Sequence, residues 1–368
     1  MEKRILILTA GFGEGHNAAA RGMRDGLAVV AGKAAVVEVH DIFAETFGFV
    51  NNWVRKSYLA IINRAPRAWG RFYEWLDRQE NYGGQMGWLF LARARLSHLL
   101  LRFQPDVVVS VFPAYPHLIE TILGGAVPPF RRVICVTDSI TVNAIWYRCA
   151  NDLFLVPNEQ TGAVLTQAGV PEAQVKVTGF PVAPKFAELG ELRNDPVAGR
   201  ERRVLYMINP GGLAAPETIR GLAQIPELSL TVTIGRDERL RRKVEAVRAD
   251  VGREMEIVGW TDQLPRKMLE SHLLVSKAGG ATTQETIAAR CPMIVNQIVP
   301  GQEEGNGRLI EETRSGVIAT TPAAIVGAVE AAFADDAQLW REWSANISRL
   351  SRPRASLEIA ELLLALGP

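Results

Sequence analysis

Short apolar runs separated by turn residues recur along this chain. In the first half they predict strands at Arg4–Thr9, Ala35–His40, Asp106–Val111, Arg131–Thr137, Leu153–Val156 and Val175–Val177. Between them, apolar positions return at the helical period over His16–Val30 and Gln160–Ala168. A second alternating half places strands at Val204–Ile208, Leu230–Ile234, Met255–Val258, Leu273–Ser276, Met293–Asn296 and Val317–Ala319. Strand alternating with helix predicts an α/β chain built on parallel, doubly wound sheets.

Two stretches break the rhythm. From Phe47 to Gln104 the strands stop, and an aromatic, helical insertion carries nine Arg and Lys against three acids. Trp and Tyr favour a membrane–water boundary and Arg or Lys attract anionic headgroups, so the segment fits a membrane surface; a plain aromatic core fits it equally. Gly179–Arg203 has three prolines and no clear period, which marks a linker. The expected layout is an N-terminal domain at 1–178 with its insertion at 47–104, a linker at 179–203, and a C-terminal domain at 204–368. The amphipathic helices from Ala337 to Leu366 are placed to fold back onto the first domain, and a cleft between the domains is the natural ligand site.

Bulk properties narrow the class. A chain of 368 residues, 48% apolar, can bury two cores. A net charge of +1 argues against broad nucleic-acid binding. Cys135, Cys149 and Cys291 are irregularly spaced, which fits a reducing compartment and offers no zinc framework. The start "MEKRILILTAG" reads as no signal peptide, and no run is long and apolar enough to span a bilayer. A cytoplasmic or peripheral protein is expected.

Chemistry gathers where predicted strands end. "ILILTAGFGEGHNAAARG" is a buried strand, a turn with Gly11, Gly13 and Gly15, and the start of a helix. Such a turn suits phosphate, through free backbone N–H groups and the positive helix end. A dinucleotide turn would carry a third glycine where His16 stands, with an acid ending the second strand; Glu38 and Asp41 are near that distance. An imidazole at a helix N-terminus is disfavoured as a cation, which makes His16 a candidate neutral base, with a simple capping role as the alternative. Asp138, in "RRVICVTDSITVNAIW", ends a buried strand on the same rim. It is a candidate to orient His16 or steady its protonated form, or else a turn former.

The second half repeats the theme. "SKAGGATTQETIAARCPMIVNQIVPGQEEGN" sets Gly279 and Gly280 between a strand and a helix, with Thr282 in its first turn and Glu285 one turn in, suited to ribose hydroxyls. Gln302, Glu303, Glu304 and Asn306 form a cluster suited to a sugar, though one acid of the adjacent pair can serve only the helix dipole. "INPGG" brings a further turn at Gly211 and Gly212. Four such features on one rim point to a nucleotide-sugar pocket. No D-x-D motif stands at a strand end, so backbone and helix dipoles, rather than a metal or other cofactor, are expected to hold the phosphates.

With "TAGFGEGHNAAARG", "VTDSITVNAIW", "TGFPV", "GGATTQETIAARCPMI" and "PGQEEGN", the chain resembles the monogalactosyldiacylglycerol synthase and processive diacylglycerol glucosyltransferase family. That family is related to the lipid-linked N-acetylglucosaminyltransferase of peptidoglycan synthesis. The resemblance implies a GT-B fold, two Rossmann-like domains facing across a cleft. It also implies a UDP-galactose or UDP-glucose donor and an acceptor such as diacylglycerol, with inverting transfer that needs no nucleotide-bound metal. By the same resemblance His16 is the base, and Glu285 meets the uridine ribose. Gln302 and Glu303 lie near the donor sugar, grouped with Gly15, Gly211, Gly212, Gly279, Gly280, Thr282 and Asn306 as donor-binding residues. Trp146 and Asn143 fall in the acceptor region. Many plant-type members carry His-Pro where this chain has Asn143-Ala144. The expected enzyme works on the inner face of the plasma membrane and on its anionic surface. A polyprenyl-linked or soluble acceptor, a UDP-sugar epimerase or hydrolase, and a catalytically dead nucleotide-sugar or lipid sensor are the competing readings.

Overall fold

The computed structural model describes residues 2–11, 14–48, 89–192, 201–209, 214–299 and 303–367. Most of the aromatic, basic insertion lies outside these residues. Each of the twelve apolar runs is a strand, with ends within two residues of those expected. Two compact units emerge. One comprises Met1–Pro184, Val299–Gly305 and Arg354–Pro368; the other comprises Lys185–Ile298 and Asn306–Pro353.

The first unit carries a parallel sheet of β1 (Lys3–Leu8), β2 (Ala35–His40), β3 (Val107–Ser110), β4 (Arg131–Cys135), β5 (Leu153–Val156) and β6 (Val175–Val177), in the order β2-β1-β3-β4-β5-β6. Ile5 to Leu8 are fully buried because β1 lies inside the sheet, covered on both faces. The half-buried β2 is its edge. Helices α1 (Glu14–Ala31), α2 (Phe90–Phe103), α3 (Ala114–Leu123) and α4 (Glu159–Gln167) make the crossovers. Numbering then continues into the second unit with a short turn, α5 (Lys185–Glu188), and α6 (Ala215–Leu222).

The second sheet holds β7 (Arg202–Met207), β8 (Leu228–Gly235), β9 (Glu256–Gly259), β10 (Leu273–Lys277), β11 (Met293–Gln297) and β12 (Gly316–Ile318). Its parallel order is β12-β11-β10-β7-β8-β9, with the winding direction reversing between β7 and β10. Its helices are α7 (Glu238–Val251), α8 (Leu264–Glu270), α9 (Gly280–Ala288), α10 (Glu304–Glu312) and α11 (Pro322–Leu350). The span α11 holds two helices: the first starts at Pro322, where Thr321 accepts from the Ala324 N–H, and the second follows the kink at Ala334–Ala337, where the sequence pattern starts the last helices. Between them Asp335, Asp336 and Ala337 take positive φ, which breaks the helical backbone. Beyond the break, Trp340 and Trp343 fill the core of this unit.

The chain ends in α12 (Ala355–Ala365), which packs along α1 in the first unit. Gly26 permits that approach: a Cβ there would stand 2.3 Å from the Ser356 carbonyl oxygen and 3.1 Å from its Cβ. Alanine is about 1 kcal/mol the better helix former, but overpacking costs about 1–3 kcal/mol, and here backbone must move. Gly26→Ala is therefore expected to lower Tm by about 2–4 °C. Calorimetry checks this, and a raised Tm would contradict the packing.

Candidate active site

In the first sheet the winding reverses between β1 and β3, and in open α/β sheets ligands bind outside the strand ends at such a point. The residues leaving β1, Thr9 to Gly11, lead into α1, whose first turn carries His16. Its Nδ1 lies 3.1 Å from Thr137 Oγ1, beyond β4. Phe112, beyond β3, meets the ring edge-on at a centroid distance of 5.1 Å, and Trp146 lies at 6.1 Å. Burial lowers the His16 pKa to about 4, partly offset by a hydrogen bond to the Val111 backbone. The ring is neutral at pH 7 with burial as the main cause, where the sequence argument relied on the helix dipole. Gly15 stands beside it in the same helical turn.

Asp138 follows Thr137, and its Oδ2 accepts from Trp146 Nε1 at 2.8 Å. The hydroxyl at the His16 ring is thus Thr137, while the neighbouring carboxylate holds the indole. Trp146, 1% exposed, closes a single 3₁₀ turn at Ala144–Trp146. Asn143 Oδ1 caps this turn by accepting from the Ile145 N–H at 3.1 Å, and His117 Nε2 donates to the Ile145 carbonyl at 2.9 Å. Asn143 therefore serves the wall that carries Trp146.

The dinucleotide alternative needs a free acid at the end of β2. Asp41 instead accepts from the Gly11 N–H at 2.8 Å and from the Ala44 N–H at 2.9 Å. Glu38 pairs with Arg102 and His40. Both candidate acids are engaged within the fold.

In the second unit, Gly279 is the N-cap of α9 and no side chain caps that helix. Gly280 and Thr282 lie in its first turn, and Glu285, half-buried, follows one turn on. Asn306 Nδ2 donates to the Ala278 carbonyl at 3.0 Å, tying α10 to the turn before α9. Gly211, Gly212 and Gln302 lie outside the described residues. Glu303 groups with the first unit, where its Oε2 accepts from the Val299 N–H at 3.0 Å. Gly305 lets that segment lie close to residues 139–141, since a Cβ would come within 1.9 Å of the Ser139 oxygen. Glu303 to Gly305 thus group with the first unit and Asn306 with the second.

Sequence reasoning missed two features here. Among the described residues, Asn209 Nδ2, Ser276 Oγ, Thr283 Oγ1 and Asn296 Oδ1, with Oδ1 of the already singled-out Asn306, are buried without hydrogen-bond partners around the carboxyl ends of β7, β10 and β11. Each such atom costs about 1–3 kcal/mol, so the cluster matches a polar ligand that supplies the partners. Ser and Thr inside apolar runs give no signal of this in one dimension. The second feature is Trp260, 67% exposed just after β9, with the Arg236 guanidinium 4.8 Å from its ring centroid. A large aromatic directly after "VG" at a strand end was the available clue. Among the described residues, no group of three or more His, Cys, Asp or Glu is placed to hold a metal ion.

Two Rossmann-like units with these rims define the GT-B fold. The structure is similar over 99% of its length to all of the crystal structure of Acinetobacter baumannii MurG, with a TM-score of 0.65 at 14% identity. The family model for monogalactosyldiacylglycerol (MGDG) synthase matches residues 16–182, beginning at the candidate base. Over 98% of the chain, the sequence is 24% identical to the processive diacylglycerol beta-glucosyltransferase of Bacillus subtilis, covering 95% of that protein. It is 26% identical over the same share to a probable monogalactosyldiacylglycerol synthase 2 of Oryza sativa, covering 80% of it. The resemblance to this family holds along nearly the whole chain.

Proposed function

We propose that this protein moves a hexose from UDP-galactose or UDP-glucose to the hydroxyl of diacylglycerol or a related lipid, inverting the anomeric carbon. At the coarser level the chain is a UDP-sugar-dependent hexosyltransferase of the glycolipid-forming kind, as its relatives' names support. The observation that carries the finer reading is the neutral, half-buried His16 at the strand-end crevice of the first unit. The ring takes the proton from the lipid hydroxyl as its oxygen attacks C1 from the face opposite UDP. Uncapped N–H groups at Gly279–Gly280 and the buried amide and hydroxyl cluster hold the diphosphate and sugar. Glu285 takes the ribose, and the exposed Trp260, after β9 in the same sheet, offers a ring face to the uracil.

The membrane side rests on α2. Phe90 (58% exposed), Ala94, Ser97 and Leu101 (75% exposed) share a stripe, flanked by Leu91 and Arg93, with Arg95 and Arg102 beside it paired to Glu45 and Glu38. Apolar side chains beside basic ones suit an anionic lipid surface, and no described helix is long and apolar enough to cross a membrane. The protein works peripherally, on the inner face of the plasma membrane. Phe90→Ser with Leu101→Ser removes about 1.5–3 kcal/mol of burial per side chain. Sedimentation with anionic vesicles is expected to fall at least tenfold, and unchanged binding would count against this face.

Incubation with diacylglycerol vesicles and a panel of UDP-sugars, with products weighed by mass spectrometry, tests the whole reading. A monohexosyl lipid and UDP in equal amounts are expected. Full-rate donor consumption without lipid, or transfer only to a soluble acceptor, overturns it.

A further inference from the structure

Glycine-rich turns lose more conformational freedom on folding than other segments, and a catalytic group mounted on one needs outside support. Thr9 and Gly11, which lead from β1 toward His16, have that support on several sides. The Thr9 N–H donates to the His40 carbonyl at 2.9 Å, and Thr9 Oγ1 donates to Asn17 Oδ1 at 3.0 Å. The Tyr115 hydroxyl, fully buried on α3, donates to the Thr9 carbonyl at 2.6 Å and accepts from the Ile42 N–H at 3.0 Å. Asp41 joins the Gly11 N–H to the Ala44 N–H. Asp41 and Tyr115 thus link the turn leaving β1 to the helical residues that follow β2.

We infer that Asp41 and Tyr115 are positioning residues for the transfer: they fix the β1–α1 turn so that the His16 ring is held at its reactive place. The inference rests on His16 being the base. Neither side chain meets substrate; both act through backbone, Asp41 at Gly11 and Tyr115 at Thr9. A displacement of about 1 Å in a catalytic group can reduce turnover about 100-fold. Asp41→Ala, which leaves two backbone donors without their acceptor, should therefore reduce kcat about 10- to 100-fold. The donor-side elements belong to the other unit, so UDP affinity should stay within about twofold.

The test is a double-mutant cycle on the full chain, reading kcat, UDP affinity and Tm for Asp41→Ala, Asp41→Asn, Tyr115→Phe, His16→Ala and the double variants. Asp41→Asn keeps one acceptor oxygen and should recover most of the kcat. In the His16→Ala background, Asp41→Ala should change kcat by less than about threefold. Tyr115→Phe keeps the ring in the core and carries the same test should Asp41→Ala fail to fold. A lower Tm with kcat intact, or an undiminished Asp41 effect without His16, overturns the inference. His16→Ala measured alone reports on the base assignment; if that variant is fully active, the base reading fails and this inference falls with it.

Discussion

His16→Ala is expected to lower kcat by about 100- to 10,000-fold, the usual contribution of a placed general base, while UDP binds with unchanged affinity. Among the described residues, Phe112, Trp146 and Thr137 contact the ring through their side chains, and none of them titrates near neutrality. The Asp138 carboxylate already accepts the Trp146 indole proton. Loss of the imidazole therefore removes the group that on this reading takes the hydroxyl proton. His16→Asn and His16→Gln preserve polarity and much of the volume, and should be as impaired as alanine. Turnover measured with vesicle-borne lipid, beside UDP binding by calorimetry, separates the two quantities. A rate within a few-fold of the unaltered protein would remove His16 from the base role.

Glu285→Ala is expected to act on the opposite quantity. Its carboxylate is half-buried on α9, one turn beyond an N-terminus that no side chain caps. Removing the acceptor of a ribose hydroxyl in such a place costs about 1–3 kcal/mol, which weakens UDP binding about 5- to 150-fold. At saturating donor, kcat should remain within a few-fold, since the carboxylate touches no reacting atom. Calorimetric titration with UDP decides it, and an unaltered Kd would move the ribose contact elsewhere on the rim.

The strands were legible because parallel sheets bury both faces, so their strands read as continuous apolar runs such as "ILIL" and "VVV". Gly279, Gly280 and His16 do stand where strands lead into helices, as the apolar runs before them predict. What the sequence concealed were partners far away along the chain. Asp41 holds Gly11 across 30 positions and Tyr115 holds Thr9 across 106, and neither separation leaves a local pattern. Thr137 and Asp138 show a finer limit. Thr137 Oγ1 lies 3.1 Å from the His16 ring and Asp138 accepts from Trp146 at 2.8 Å, and the pattern of the apolar run names neither partner. Ser276 and Thr283 look like ordinary strand and helix residues until burial shows their hydroxyls without partners.

The central claim is that an imidazole kept neutral by burial removes the acceptor proton. The pH dependence of kcat/KM, which reports the free protein's essential groups, tests it most directly. A lowered histidine pKa leaves the base competent as pH falls past the ordinary value of 6.5, and activity is lost only as the ring protonates near 4. The account predicts an acid limb at about 4 that disappears from the residual activity of His16→Ala. A limb at 6.5, or the same limb persisting without His16, would contradict it.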